Sequence, residues 1–539
     1  MPIGCRMPLD RRQVLQLLGL HALTPRGALL EATSRTGAAQ HGASLAPDVD
    51  LALIASPGEA SILPGPPTRV WQFTATLDRG PASTLTSLPG SYLGPILRVR
   101  RGQRIRVRFR NQLGEPSIVH WHGFDVPERA DGHPRLAIDG GREYVYDFEV
   151  TNRAGTYWYH PHPHMRTAAQ VYQGMAGLLL VTDPEEDALG LPSGSGELTC
   201  VLQDRRFDRQ NQLVYASGIR ANRMHGARRG RGMGQGMGGT MAQMMETANG
   251  WLGDHVLING RLQPSHDVVR RTYRIRLLNG SNARIYKLAW NDGTPFTIIG
   301  GDGGLLERAR VMSTLTIAPG QRADVLLDLS DRPAGTTMRL RSLAFPATAV
   351  GHVGMMGDVA PVPQGAPIEL MTLRVSSGTG PRVRLPERLC TPPDVWRPDP
   401  TAPVRRVPLT FTRMEWLLGG RTFEMHGVAP NETVAPGATH VWELANEPNP
   451  MGMTMAHPIH VHGTPFRVLS RSGANGNALA EGLVDTAATD TVLVLPGETV
   501  RVQLTFSRHP GLYLYHCHIL EHEDMGMMRN FRIMPTASP

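Results

Sequence analysis

Two stretches of the chain follow one pattern, Gly511-Leu-Tyr-Leu-Tyr-His516-Cys517-His518 and Gly155-Thr-Tyr-Trp-Tyr-His160-Pro-His162. Each begins with a turn glycine, places tyrosines at alternate positions and ends in two histidines separated by one residue. Side chains at alternate positions of a β-strand lie on the same face. The pattern therefore predicts two equivalent strands, each presenting two imidazoles on one face, in two related parts of the chain.

A second motif links the same two parts. His120-Trp-His122-Gly123 matches His460-Val-His462-Gly463, so four His-x-His pairs occur in the two matched regions. The middle of the chain has no such pair after Asn279, where Trp290-Asn-Asp-Gly293 follows instead. The first and last parts are therefore expected to carry the chemistry, and the middle part is expected to space them or to shape the site.

Two weaker patterns occur three times and divide the chain into three. A turn glycine followed by alternating apolar residues occurs at 102–109, 320–327 and 497–504, and a strand ending in asparagine occurs at 105–111, 273–279 and 441–446. Three copies predict three homologous β-domains, at 50–185, 190–380 and 400–539, with proline-rich linkers at 184–192 and 392–403. Short strands between glycine and proline turns predict an all-β fold of antiparallel Greek-key sandwiches.

The composition agrees with this fold class and excludes others. The 539 residues include 59 Gly and 44 Pro, hydrophobic residues make up 41%, and the mean hydropathy is -0.22, which is typical of a globular protein rich in turns. No run of about 18 apolar residues occurs, so no membrane-spanning helix is expected. The net charge is +8, but the arginines are scattered and no nucleic-acid motif occurs, so we predict no nucleic-acid partner.

The residues around Cys517 predict a copper site. Imidazole binds copper, zinc, iron and nickel, and four pairs matched across a repeat indicate a metal centre. Cys517 lies between two paired histidines, and a strand directs its side chain to the opposite face. Together with His457, His522 and a distant Met527, it makes the ligand set of a blue-copper electron-transfer site. Zinc has no redox chemistry, and a zinc site would leave the other histidines unexplained.

These motifs resemble those of the three-domain multicopper oxidases, most closely bacterial laccases and cuprous oxidases. The resemblance covers nearly all of the chain after the N-terminal segment. It includes His-Pro-Ile-His-Val-His-Gly from His457 and His-Cys-His-Ile-Leu-Glu-His-Glu-Asp-Met-Gly-Met-Met from His516. It implies three cupredoxin-like domains and four copper ions, of which one is type 1, one is type 2 and two form a type 3 pair.

The same resemblance assigns a ligand set to each copper ion. It gives the type 1 ion His457, Cys517, His522 and Met527, the type 2 ion His120 and His460, one type 3 ion His122, His160 and His518, and the other type 3 ion His162, His462 and His516. Met528 is an alternative to Met527, although the family spacing favours Met527. His164 is expected to support the ligands rather than to bind metal.

The resemblance also implies a reaction. A reducing substrate, either Cu(I) or a phenolic or other aromatic compound, gives up single electrons, and four of them reduce O2 to two waters. Oxidation of Cu(I) would serve copper tolerance. Asp131 and Glu523 match acidic residues that resemble the family's proton donors, whereas by position alone they could equally be surface acids beside loops.

Three other functions stay open on the sequence alone. A copper nitrite reductase has a type 1 site but lacks the paired type 3 motifs found here. A non-catalytic cupredoxin-domain scaffold would have lost ligands, and all of them are present. A copper-buffering protein would bind copper without consuming O2, which only an experiment can decide.

Four further features lead to predictions or open questions. Asp10-Arg11-Arg12-Gln13-Val14-Leu15 resembles a twin-arginine motif, so residues 1–45 are predicted to be an export signal and tail of a periplasmic or secreted protein. The segment 224–249 is rich in Met, Gly and Arg, and its thioethers suit Cu(I), the alternative being a flexible segment without a ligand role. Cys200 and Cys390 could pair or could be buried thiols. The chain is expected to act as a monomer.

Overall fold

The computed structural model describes residues 46–215, 244–352, 360–393, 396–412, 414–449 and 452–535. The predicted export signal and most of the Met-rich segment lie outside the described residues. Residues 47–539 form one compact unit. In the described part of the chain, no helix combines the length and apolar character that a membrane crossing requires.

Three pairs of β-sheets follow one another along the chain. The strands of the first pair are β1 (Val49–Ala60), β2 (Thr68–Arg79), β3 (Leu85–Thr86), β4 (Ile96–Arg100), β5 (Arg104–Asn111), β6 (Val119–His122), β7 (Glu143–Glu149), β8 (Gly155–Pro161) and β9 (Gly177–Thr182). They form a sheet of order β2-β1-β5-β7 and a sheet of order β3-β4-β9-β8-β6.

The second pair of sheets belongs to the middle of the chain. Its strands are β10 (Glu197–Arg205), β11 (His255–Ile258), β12 (Arg261–Leu262), β13 (Ser265–Arg270), β14 (Thr272–Asn279), β15 (Tyr286–Trp290), β16 (Phe296–Gly301), β17 (Gly304–Met312), β18 (Leu315–Ile317), β19 (Arg322–Asp328), β20 (Thr337–Ser342), β21 (Gly351–His352) and β22 (Ile368–Thr379). The sheet orders are β12-β11-β10-β14-β19-β16-β17 and β13-β22-β20-β15-β18.

The third pair of sheets completes the series. Its strands are β23 (Val404–Thr412), β24 (Glu415–Leu418), β25 (Thr433–Val434), β26 (Thr439–Ala445), β27 (Thr454–Met455), β28 (His457–Val461), β29 (Phe466–Ser472), β30 (Ala488–Thr489), β31 (Thr491–Val494), β32 (Thr499–Thr505), β33 (Gly511–Cys517) and β34 (Met528–Ile533). The orders are β24-β23-β26-β32-β29-β30 and β25-β34-β33-β28-β31, while β27 pairs with β21 of the middle part.

The helices of the described residues are short. They are α1 (Glu128–Asp131), α2 (Thr167–Tyr172), α3 (Pro184–Asp187), α4 (residues 244–248) and α5 (Leu520–Asp524), with 3-10 turns at Ala82–Thr84, Pro134–Leu136, Gly194–Gly196, Ala347–Ala349, Pro430–Glu432 and Ala480–Gly482. Helix α1 carries Asp131, and α5 carries His522 and Glu523. Helices therefore contribute little to the layers and much to the site.

The three pairs of sheets share one topology. In each, a strand that ends at or beside asparagine lies between a parallel and an antiparallel neighbour: β5 between β1 and β7, β14 between β10 and β19, and β26 between β23 and β32. The prediction of an all-β fold with three cupredoxin-like Greek-key sandwiches is confirmed. The residues at which one domain gives way to the next stay a prediction.

The recurring asparagine has the same task in each copy. Asn111, Asn279 and Asn446 are buried, and the side-chain amide of each donates to at least two backbone carbonyls from neighbouring loops or strands. A buried amide that pairs with carbonyls at a strand end satisfies groups that would otherwise be costly to bury. The asparagine repeat in the sequence thus reflects a shared way of closing each sandwich.

The first copy of the glycine repeat does not correspond to the other two in the structure, so the prediction that all three mark equivalent strands is wrong. The strands at 320–327 and 497–504 are β19 and β32, the antiparallel neighbours of the asparagine strands. The strand at 102–109 is β5, which is itself the asparagine strand, so the true counterpart of β19 and β32 is β7. The error arose because a turn glycine followed by alternating apolar residues describes any half-buried strand.

Strand alternation separates the cores from the histidines. In β8, Tyr157 and Tyr159 belong to the core of the first pair of sheets, so the intervening side chains and His160 face the other way. In β33, Tyr515 and Cys517 belong to the core of the third pair, and His516 faces outward. The prediction that Cys517 points away from its flanking histidines is confirmed.

Candidate metal centre

The cysteine cluster consists of His457, Cys517 and His522, which are fully buried in the third pair of sheets. The Sγ atom of Cys517 lies 3.5 Å from Nδ1 of His457 and 3.6 Å from Nδ1 of His522. Burial lowers the pKa of His522 to about 3 and holds the pKa of His457 well below its usual value. Both imidazoles are therefore neutral, which is the form that binds a metal ion.

Met527 lies on the same side of the sheet as Cys517. The two side chains belong to one hydrophobic cluster, and the Cys517 amide donates to the Met527 carbonyl at 3.0 Å. Met528 stands opposite His516 in the ladder between β33 and β34. Residues directly opposite in a ladder share a face, so the side chain of Met528 belongs to the histidine side. The thioether available to the cysteine cluster is that of Met527.

Two residues that the sequence did not single out cover the cysteine cluster. The ring of Trp416 lies 4.4 Å from the ring of His522 and 4.6 Å from that of His457. The carbonyl of Ala248, in α4, accepts hydrogen bonds from Nε2 of His522 at 3.0 Å and from Nε1 of Trp416 at 3.2 Å. Helix α4 lies at the end of the Met-rich segment, so this segment reaches the cysteine cluster even though most of it lies outside the described residues.

The histidine cluster contains the eight histidines of the four His-x-His pairs. They lie in or directly after β6, β8, β28 and β33, and none is exposed. Potential ligand atoms come within 4.8 Å of one another in three groups: His120, His122 and His460; His122, His160 and His518; and His162, His462 and His516. Every group contains side chains from both the first and the third pair of sheets.

Backbone carbonyls fix which nitrogen of each imidazole faces the cluster. Nδ1 of His120 donates to the Asp131 carbonyl at 2.6 Å, and Nδ1 of His460 donates to the Asp490 carbonyl at 2.8 Å. Because a neutral imidazole has one proton, both Nε2 atoms then carry lone pairs. These two Nε2 atoms lie only 3.3 Å apart. Two lone pairs at that separation repel each other unless a cation accepts both.

A second pair of histidines, His462 and His516, has the same arrangement of fixed outer nitrogens and facing inner nitrogens. Nδ1 of His462 bonds to Asp131 Oδ2 at 2.8 Å, and Nδ1 of His516 donates to the Cys517 carbonyl at 3.0 Å. Their Nε2 atoms lie 3.1 Å apart. Several other imidazole nitrogens of the cluster have no hydrogen-bond partner among the described residues, namely His122 Nδ1, His160 Nε2, His162 Nδ1 and both nitrogens of His518. Buried, unpartnered imidazoles beside a thiol fit copper, which takes imidazole and thiolate ligands.

The two predicted proton donors lie beside the histidine cluster. Asp131 Oδ1 is 3.6 Å from Nδ1 of His120, and Glu523 Oε2 is 3.3 Å from Nδ1 of His516. Neither oxygen has a hydrogen-bond partner among the described residues. Burial, with the nearby Glu128 as a smaller cause, raises the pKa of Asp131 well above its usual value. Burial does the same to the pKa of Glu523.

Comparisons with known proteins agree with this geometry. Family models described as multicopper oxidase match residues 69–186, 238–342 and 397–537. The bilirubin oxidase of Albifimbria verrucaria is 32% identical over 462 residues, which cover 84% of this chain and 73% of that protein. The chain belongs to the multicopper oxidase family.

Two further multicopper oxidases illustrate how much is shared. The multicopper oxidase mco of Staphylococcus epidermidis is 28% identical over 448 residues, covering 82% of this chain and 83% of the relative. The crystal structure of the multicopper oxidase McoA from Aquifex aeolicus superposes with a TM-score of 0.71 at 33% identity, covering 91% of this chain and 97% of that one. As a multicopper oxidase, the protein is a copper enzyme that uses O2 and a reducing substrate.

Three further side chains bear on the expectations made from the sequence. The exposed side chain of His164 lies against the ring of Phe423 at 5.2 Å, and the expectation that it supports the ligands stays a prediction. Cys200 and Cys390 do not pair, since both are free and buried. Sγ of Cys200 lies 3.9 Å from the sulfur of Met371, which is ordinary core packing for a small apolar side chain.

Asp490 is the site residue that the sequence analysis missed. Its carboxylate accepts from Nε2 of His122 at 2.9 Å and from both terminal nitrogens of Arg322, at 2.8 and 2.6 Å. Burial alone would raise the pKa of Asp490, but Arg322 and His122 hold it well below its usual value. The available signal was a lone acidic residue in the otherwise uncharged run Ala487-Ala-Thr-Asp-Thr-Val-Leu-Val494.

Proposed function

We propose that the protein holds four copper ions and couples four one-electron oxidations of a small reducing substrate to the reduction of O2 to two waters. The observation that carries the proposal is the position of Cys517. Its sulfur belongs to the cysteine cluster, and its two sequence neighbours, His516 and His518, belong to the histidine cluster. A scaffold or a copper buffer has no use for a covalent connection between two metal sites.

The groups of side chains support a division of ligands among the ions. In this proposal the type 1 ion is held by His457, Cys517, His522 and Met527, the type 2 ion by His120 and His460, and the type 3 pair by His122, His160 and His518 on one side and His162, His462 and His516 on the other. Copper bound there supplies one-electron redox chemistry at the cysteine cluster and the activation of O2 at the histidine cluster.

The chain itself orients the imidazoles and excludes water from the two clusters. None of the eleven histidine and cysteine side chains of the two clusters is exposed. Carbonyls or carboxylates fix the outer nitrogens of most of the imidazoles, which holds the inner ones ready. Exclusion of water strengthens the electrostatic interactions inside the clusters and prevents side reactions.

Two carboxyl groups provide protons in this proposal. Burial raises the pKa of both Asp131 and Glu523 above its usual value, which favours the protonated form of each carboxyl. Oδ1 of Asp131 and Oε2 of Glu523 make no hydrogen bond among the described residues, so these are the oxygens that would carry the proton. Each carboxyl therefore faces the histidine cluster as an acid, which is what water formation consumes.

The surroundings of the cysteine cluster favour Cu(I) over phenols as the electron donor. Four half-buried methionines pack against the hydrophobic cluster that contains Cys517 and Met527, namely Met245, Met414, Met453 and Met525. Thioethers are soft ligands that select Cu(I). Ala248 and Trp416 cover His522, so a bulky phenol would have no direct contact with this imidazole.

The place of action and the assembly are also part of the proposal. The twin-arginine pattern at Asp10-Arg11-Arg12 supports export to the periplasm or the outside of the cell, by a route that carries folded proteins. Both clusters are complete within one chain, which supports a monomeric enzyme. The domain borders stay as proposed from the sequence, at 50–185, 190–380 and 400–539.

One experiment tests the central proposal. The purified chain is loaded with copper, and the copper content, the O2 consumed and the donor oxidised are measured together. We expect four copper ions per chain and four electrons per O2, with no peroxide accumulating. The rates on Cu(I) and on a phenolic dye are measured side by side, with and without added Cu(II). Copper binding without O2 consumption would identify a buffering protein instead.

A further inference from the structure

The middle pair of sheets contributes no histidine to either cluster. One of its turns nevertheless reaches the histidine cluster, which is the proposed site of O2 reduction and is called the oxygen site below. This turn is Ala318-Pro-Gly-Gln-Arg322, between β18 and β19. Gly320 has a φ of +85°, and a Cβ built on it would lie 2.9 Å from Cδ2 of His518. Only glycine allows the backbone to lie so close to the imidazole. The side-chain amide of Gln321 donates to the Thr491 carbonyl at 3.0 Å.

Arg322 ends this turn with every N–H group paired. Nε donates to the Thr156 carbonyl at 3.0 Å, Nη1 to the Gly320 carbonyl at 2.9 Å, and Nη2 to the Asp302 carbonyl at 3.0 Å. The two remaining N–H groups form the bidentate pair with Asp490. The side chain is fully buried. It therefore ties β8 of the first pair of sheets and Asp490 of the third to the middle part of the chain.

Asp490 in turn forms hydrogen bonds with two histidines of the cluster. Its carboxylate oxygen Oδ1 accepts from Nε2 of His122, and its carbonyl accepts from Nδ1 of His460. The bond to His122 leaves Nδ1 of that imidazole facing the cluster without a protein partner. Gly123 makes room for the pair, because a Cβ at this position would collide with Asp490 Oδ2 and would lie 2.8 Å from Nη2 of Arg322.

We propose that Arg322 and Asp490 are positioning residues of the oxygen site, through which the middle domain fixes the orientation of His122 and His460. This inference rests on the proposed function. A guanidinium that binds both carboxylate oxygens fixes the plane of the carboxylate as well as its place. A carboxylate fixed in this way can hold only one tautomer and one ring orientation of the imidazole it touches.

Burial of a charged pair would not by itself imply this role. Arg284 and Asp204 are equally buried, with Nε and Oδ2 2.8 Å apart. The carboxylate of Asp204 accepts from Arg284 and from the Gly253 amide rather than from a histidine of the oxygen site. This pair is therefore a matched control for the cost of disturbing a buried ion pair. A difference between the two pairs must come from the contact of Asp490 with the imidazoles.

The test compares Asp490→Asn with Asp204→Asn in the copper-loaded full chain. Copper content, the blue absorption of type 1 copper, the paramagnetic resonance spectrum of type 2 copper and O2 consumption are measured for each. For Asp490→Asn we expect an unchanged blue band and an altered or weakened type 2 spectrum, because Oδ1 of Asp490 also lies 3.5 Å from Nδ1 of His460. Turnover should be lower by about 10–100-fold, as for other residues that orient metal ligands. For Asp204→Asn we expect the wild-type spectrum of both sites.

A second variant guards against a failure to fold. Arg322→Lys keeps the charge but cannot bind both oxygens of Asp490 and the Thr156 carbonyl together. We expect an altered type 2 spectrum with the blue band retained. Wild-type type 2 spectra and turnover in both site variants, or equal changes in Asp204→Asn, would overturn the inference. If the unmutated chain binds copper but consumes no O2, the proposed function itself is wrong.

Discussion

Asp131 and Asp490 make the same two kinds of hydrogen bond with the histidine cluster. Asp131 accepts a hydrogen bond from His120 on its backbone carbonyl and bonds to His462 through its carboxylate. Asp490 makes the same two kinds of contact with the other histidine of each of these His-x-His pairs. The internal repeat of the chain thus extends beyond the paired histidines to the acids that bond to them.

The two acids differ in charge because their surroundings differ. Burial raises the pKa of Asp131, whereas Arg322 holds the pKa of Asp490 well below its usual value. The surroundings of Asp131 therefore favour its protonated form, and those of Asp490 favour the carboxylate. One copy of the repeated acid is suited to proton delivery and the other to holding an imidazole in place.

The first prediction concerns the cysteine cluster. Cys517→Ser should abolish the blue absorption and nearly all oxidase activity, because a hydroxyl neither binds copper as a thiolate does nor passes electrons to the histidine cluster. Absorption spectra and O2 uptake of the copper-loaded protein are the measurements. The control is Cys200→Ser, a buried thiol in the middle core. A Cys517→Ser protein that stays blue would show that another thiol binds the type 1 ion.

The second prediction separates the two clusters. His122→Ala should disturb the type 3 pair and stop O2 reduction while leaving the blue band largely intact, because His122 lies outside the cysteine cluster. His164→Ala, at an exposed histidine of the same motif region, should behave as wild type. Loss of the blue colour with O2 reduction preserved would be incompatible with the proposed division of ligands.

The sequence could predict which histidines lie together, and where Cys517 points, because these residues sit on strands. A period of two places His120 beside His122 and turns Cys517 away from its neighbours, and no tertiary information is needed for either statement. The contacts that orient the ligands could not be predicted in this way. Arg322 and Asp490 are 168 residues apart, and each looks like an ordinary polar residue within its own stretch. Only the packing of all three pairs of sheets brings them to His122.

The third prediction concerns protons. Asp131→Asn and Glu523→Gln keep the shape of the side chain and lose its acidity. Each should slow O2 reduction by roughly 10²–10⁴-fold, the usual contribution of a positioned acid or base, without removing copper. Stopped-flow reoxidation of the reduced enzyme by O2 isolates this stage, and Asp139→Asn at an exposed acid serves as control. Wild-type reoxidation rates in both variants would show that the two carboxyls do not deliver protons.

The fourth prediction links stability to pH through His133. Burial lowers the pKa of His133 to about 4, and Nε2 bonds to Asn530 Oδ1 at 2.9 Å, which ties α1 and its following loop to β34. Above pH about 6.5 both the folded and the unfolded chain hold a neutral imidazole. Below it the unfolded chain takes up the proton first, so stability falls until the pH reaches about 4, by about 3 kcal/mol in total.

The matched variant for this effect is His133→Gln, which keeps an amide donor for Asn530. Thermal or denaturant unfolding is followed for both proteins between pH 7.5 and 4.5, with measurements at intervals of about one pH unit. We expect the wild type to lose more stability than the variant over this range, since other titrating groups are common to both. Parallel profiles would mean that His133 is protonated in the folded protein as readily as in the unfolded chain.

The last prediction concerns the electron donor. Replacing the four half-buried methionines that pack against the core containing Cys517 by leucine (M245L, M414L, M453L and M525L together) removes their thioethers at nearly constant volume, a swap that usually costs less than about 1.5 kcal/mol per site. Oxidation of Cu(I) should fall about tenfold or more through a higher KM, because soft ligands no longer collect the ion. Oxidation of a phenolic dye should stay the same or rise, and the blue band should persist. Met338→Leu, in the core of the middle part, controls for loss of a thioether as such. Equal losses on Cu(I) and on the dye would show that these methionines serve packing, and would remove the support they give to Cu(I) as the donor.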